Sequence, residues 1–126
     1  MANPKFTDSD GNNGYVWDEY PTYPSDPGDL LTPMRFKTSI LTHRRNGVII
    51  GVVKVANKVG LWDLAFRYID KDMYDRLVYF FDLGYFRFYP DSDLSAYYNV
   101  FAVNIEPEKH RGLTYSIEFS LEEVGF

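Results

Sequence analysis

The side chains that could do chemistry are few. His43 and His110 are the only two histidines, and neither has a second imidazole at the spacing a metal site requires. Each is expected to be a solvated loop histidine. The chain contains no cysteine, which excludes disulfides, thiolate zinc sites and thiol nucleophiles. Its carboxylates are scattered over turn segments, so no pair stands out as the acid and base of glycoside chemistry. Neither a glycine-rich phosphate loop nor a Gly-x-Ser-x-Gly elbow occurs. The expectation is a protein without enzymatic activity and without a cofactor.

One stretch partly matches a cation site. From Asp8 to Glu19, oxygen-bearing side chains fall at positions one, three, five and twelve of a calcium loop: Asp8, Asp10, Asn12 and Glu19. The glycine needed at position six is Asn13, with Gly14 one place late, and prolines stand where the flanking helices of an EF-hand belong. A polar turn that holds no metal is therefore expected. The rival is an N-terminal segment that calcium orders.

Composition narrows the class of partner. A net charge of -5 opposes an electrostatic grip on nucleic acid, which needs clustered cations; Arg44-Arg45 is the exception. No apolar run reaches the ~20 residues of a membrane-spanning helix, and the N-terminus lacks the layout of a signal peptide. A soluble protein is expected, with no membrane partner and no sequence-specific nucleic acid. Aromatic residues make up 18% of the chain, including eleven Tyr and ten Phe. Tyrosine, with an apolar face and a polar tip, suits surfaces that a partner half-buries, although sheet cores also favour aromatics.

The elements that must carry these residues follow from pattern. Residues 1–33 hold most of the prolines and several glycines without sustained periodicity, and read as an extended N-terminal arm. Its Tyr15, Trp17, Tyr20 and Tyr23 are too apolar to stay solvated, so the arm is expected to order only against neighbouring subunits. From Met34 onward, residues 34–126 read as one domain. Strands Arg35 to His43 and Val48 to Ala56 flank Asn46-Gly47, which supplies the positive φ angles of a type I′ turn. The tip, with Arg44 and Arg45, is expected to project and contact an adjacent protein. In the next strand, Leu61 to Tyr68, the even-numbered Trp62, Leu64, Phe66 and Tyr68 form the buried face. Asp70 then caps a helix over Lys71 to Leu83, whose Met73, Leu77, Phe80 and Phe81 share a face, and Gly84 ends it. Tyr85 to Tyr89 is a short strand stopped by Pro90-Asp91-Ser92-Asp93. Two strands close the chain around a polar loop, Glu106 to Gly112. The first aligns Tyr97, Asn99, Phe101, Val103 and Ile105, and the second points Tyr115, Ile117, Phe119 and Leu121 inward.

The C-terminal half carries a resemblance. A strand ending in Arg67-Tyr68, a helix over Asp72 to Phe81, the run Gly84-Tyr85-Phe86-Arg87-Phe88-Tyr89-Pro90, the stretch YYNVFAVNIEPE and a terminal YSIEFSLEEV resemble the minor-tail and distal-tail proteins of long-tailed bacteriophages. The similarity spans about Met34 to Val124 and carries no catalytic residue. It implies a mainly β (α+β) fold, an antiparallel β-sandwich with one flanking α-helix. It also implies a structural subunit of the virion tail, at a tube, distal-tail, tip or baseplate position. Such a subunit is made in the bacterial host cytoplasm and assembled as a homo-oligomeric ring, expected to be a hexamer, with other tail proteins as partners. The alternative is a ligand-binding module of the tail tip that recognises a host surface carbohydrate, which would require a concave aromatic site.

Overall fold

Strict alternation at the C-terminal end and a short N-terminal strand around Phe6 contribute to the sheet. The computed structural model describes residues 2–37, 40–54 and 59–124. In chain order it forms strands β1 (Lys5–Thr7) and β2 (Tyr15–Val16), a 3-10 turn (Pro27–Leu30), and strands β3 (Arg35–Lys37), β4 (Ile40–Arg45), β5 (Val48–Lys54) and β6 (Val59–Asp70). Helix α1 (Lys71–Phe81) follows, then β7 (Tyr85–Tyr89), β8 (Tyr98–Lys109) and β9 (Thr114–Glu123). Seven strands make one antiparallel sheet in the order β2-β1-β7-β8-β9-β6-β3, and β4 pairs with β5 in a separate two-stranded sheet. The mainly β, one-helix expectation holds. The described core lies on one face of a curled sheet, under α1.

The curl is measurable. β8 and β9 lie between β6 and β7 in the sheet, yet the rings of Trp62 on β6 and Phe88 on β7 meet at 5.4 Å. The segment after β2 spans the concave side: the Trp17 amide donates to the Pro4 carbonyl at 2.9 Å, and Thr22 and Tyr23 then pair with Ala65 of β6. Trp17 bridges β7 and β6, stacking on Phe88 at 5.8 Å and meeting the Phe66 ring at 5.2 Å.

This corrects the reading of residues 1–33 as an arm awaiting neighbours. β1 is a full member of the sheet, paired with β7 through Phe6 opposite Phe88, and Phe6, Tyr15, Trp17 and Leu30 are buried in this chain's own core. Proline and glycine density lowers propensity for regular structure, but a three-residue strand needs only one partner, and β7 supplies it. Among the described residues, Phe6, Tyr15, Trp17 and Leu30 share one core with residues beyond position 33.

Asp70 starts α1 as expected, its carboxylate accepting from the Met73 amide at 2.8 Å, and Met73, Leu77 and Phe80 are buried against the sheet. The helix ends at Phe81, two residues before the expected Leu83, and Gly84 follows with φ +89°. Replacing Asp70 by Ala leaves the first-turn amide unpaired and is expected to cost about 0.5–2 kcal/mol, read as a lowered denaturation midpoint at unchanged slope.

Three strand readings change in detail. β6 runs on to Asp70 and bulges after Phe66, where Phe66 faces Ile117 but Ile69 faces Tyr115. Tyr68, at φ +58°, is thereby turned out to 68% exposure, and Ile69 takes the buried place expected for it. In β8 the core face is Val100, flanked by the partly buried Tyr98 and Ala102, the opposite face from Phe101 and Val103, and Ile105 falls in the bulge and is exposed. Residues Glu106 to Lys109 extend β8 instead of forming a loop, and the turn tightens to His110–Leu113. Pro107 is tolerated because β7 pairs only with Tyr98–Phe101, leaving that side of β8 an open edge.

Candidate functional site: a two-stranded hairpin and an acidic cleft

Asn46 and Gly47 take φ of +52° and +79°, the two positive values that a type I′ turn demands, and they close β4 onto β5. Ile40 faces Lys54, Leu41 faces Val53 and Arg45 faces Val48, with one bulge after His43. The residues 38–39 and 55–58 that join this ribbon to β3 and β6 lie outside the described residues, as does Ala56, the expected end of the second strand. Among the described residues the ribbon pairs with no other strand. β5 reads Val48-Ile49-Ile50-Gly51-Val52-Val53, apolar at both parities. A continuous apolar run belongs to a strand covered on both faces, whereas β9 alternates because one of its faces is wet. A two-stranded ribbon alone cannot supply that cover.

The second feature lies on the outer face of the sheet, opposite the aromatic core. A cleft of about 470 Å³ runs between Tyr23, Asp63 and Arg67 on one side and Asn104, Glu106 and Glu118 on the other. A second hollow of about 350 Å³ shares Arg67, Glu106 and Glu118 with it and adds Glu108. Bulges on both neighbours of β9 flank the cleft: β6 gains its extra residue after Phe66 and β8 after Val103, where Asn104 has φ +53°. Bulges bend a strand and re-aim its side chains, which sets the walls. Asp63 is already engaged, accepting from the Ser120 hydroxyl at 2.6 Å and from Arg35 at 3.1 Å. Arg67 stands 4.0 Å from Glu118, with both side chains well exposed. Glu106 and Glu108 form no ion pair among the described residues, and Glu106 lies directly opposite Glu118 across the strands.

The candidate residues named from sequence separate. Tyr15 and Trp17 are core residues, Tyr20 is partly buried against the core, and Tyr23 keeps a half-exposed ring at the cleft mouth. Arg44 and Arg45 end β4 at the hairpin turn, and their side chains lie outside what is described. Sequence reading missed the cleft, because its walls meet only when β6, β8 and β9 pair. His110 is half-buried, not solvated: its Nε2 lies 2.7 Å from the Ser116 hydroxyl and its ring 4.9 Å from that of Tyr68. That is nucleophile-to-base distance, but no described carboxylate bonds the other ring nitrogen to orient it as a triad requires. The contact ties the last turn to β9.

The Asp8 turn closes on itself. The Asp8 carboxylate accepts from the amides of Asp10 and Asn12 and from the Asn13 side chain. Among the described residues no group of three acidic or histidine side chains is placed to hold a metal, and no helix is long and apolar enough to cross a membrane.

Burial and the nearby Asp18 carboxylate push the Tyr15 phenol above its ordinary range, and burial with Asp29 and Asp26 pushes Tyr20 up to about 12. Both hold their protons in the folded chain at pH values where the unfolded chain has lost them. Their contribution is complete below pH ~10 and is lost as pH rises through the folded values. Ultraviolet titration is expected to show a late-titrating tyrosine fraction, reduced by Tyr20→Phe, and stability falling above pH ~10.

Comparison with family models, with curated proteins and with solved structures finds no match for this chain.

Proposed function

We propose that this chain is a non-enzymatic structural subunit of a bacteriophage tail, assembling with copies of itself and with other tail proteins. The observation that carries self-assembly is the β4–β5 ribbon: apolar at both parities in β5, and without a strand partner in its own described chain. Neighbouring copies can cover both faces of such a ribbon, and closed point-group symmetry then yields a ring. The tail setting rests on the residue pattern of the C-terminal half, and a hexameric ring at a distal, minor-tail or tip position is the arrangement that pattern favours.

The carbohydrate-recognition alternative draws on the outer cleft, where the half-exposed Tyr23 stands beside polar side chains. It has one ring at its mouth where sugar stacking would favour more aromatic surface, and it leaves the ribbon without a role. Sedimentation of the intact protein tests the assembly reading. A discrete oligomer, a whole multiple of the 14.7 kDa chain, is expected. A single-chain mass at every concentration would contradict it.

A further inference from the structure

We propose that the Arg44-Arg45 tip of one copy seats in the acidic outer cleft of the next. The proposal rests on the self-assembly reading and names the surface that completes it.

Arg44-Arg45 is the only place where two Lys or Arg residues are adjacent in a chain of net charge -5, and the type I′ turn puts it at the far end of the ribbon. The cleft and its adjoining hollow present Asp63, Glu106, Glu108 and Glu118 against Arg67, with Arg35 spent on Asp63. Across the strands, Glu106 and Glu118 are direct partners. Like charges at such a position repel, and a cation between them removes the penalty. Among the described residues Arg67 pairs only with Glu118, at 4.0 Å. Counted over those residues, the site is short of positive charge. A guanidinium fits the need, because its planar fork bonds carboxylates in pairs and sheds water more readily than an ammonium.

In chain order the ribbon precedes β6, and the cleft draws on β6 from Asp63 to Arg67. On the self-assembly reading the tip of one copy meets the cleft of the next, a head-to-tail contact of the kind that closes into a ring when the rotation permits. Charge complementarity of this type fixes the register of an interface more than it adds affinity, leaving affinity to the apolar run of β5.

Two full-length variants test it: Arg44→Glu with Arg45→Glu, and Glu106→Arg with Glu118→Arg, each first shown by circular dichroism to be folded. Each alone is expected to sediment as a single chain under conditions where the native protein is oligomeric. Mixed in equal amounts they are expected to reassemble, because an alternating ring pairs every reversed tip with a reversed cleft. A tip variant that keeps the native mass overturns the proposal and leaves self-assembly standing. So does a mixture that stays dissociated. A native protein that is itself a single chain overturns both.

Discussion

Replacing Phe6 by Ala is expected to lower the stability of the folded chain by about 3–5 kcal/mol, the range for truncating a buried aromatic. Phe6 is fully buried, and its ring lies within 6.4 Å of those of Trp17, Phe80, Phe81, Phe86 and Phe88. Those five partners come from the segment after β2, from the helix and from β7, so one ring joins the sheet, the helix and the segment that spans the sheet's concave side. Removing it leaves a cavity that no single element can collapse into, since each is held by its own backbone pairing. The loss is read from urea unfolding as a lowered midpoint at constant slope. A loss below about 1 kcal/mol would mean that the N-terminal segment is peripheral, as its composition suggests.

The second large effect is at Leu77, where substitution by Ala is expected to cost about 2–5 kcal/mol. Leu77 is fully buried at the centre of the helix face that also carries Met73 and Phe80. Alanine keeps the helix propensity, so the loss reports packing and not local helix formation. An unchanged melting temperature would show that the helix does not pack on the sheet through this face.

Where the residues themselves dictate backbone geometry, the sequence was readable. Asn46-Gly47 announces its turn because few other pairs accept two positive φ angles, and Asp70 announces the helix start because the first-turn amides need an acceptor. The clean alternation of Tyr115, Ile117, Phe119 and Leu121 fixed the inward face of β9, of which Ile117, Phe119 and Leu121 are buried and Tyr115 partly so. What failed was non-local. The partner of Phe6 stands at Phe88, far along the chain, and no periodicity within residues 1–33 reveals it. Tyr68 continues the alternation on paper, but a bulge turns it out. In β8 both parities are apolar, so only pairing with β7 and β9 decides that Val100 faces inward and Phe101 does not. The cleft was invisible for the same reason, since Asp63, Glu106 and Glu118 belong to three strands. The carboxylates and Pro107 at the end of β8 suggested a loop, although an open edge accommodates both.

Gold-labelled antibody against this chain, imaged on intact particles from a host that carries its gene, tests the proposed tail role most directly. The expected result is label confined to one position along the tail, with the chain present among the proteins of purified particles. Particles that lack the chain and carry no label, while the protein remains in the cleared lysate, would contradict it.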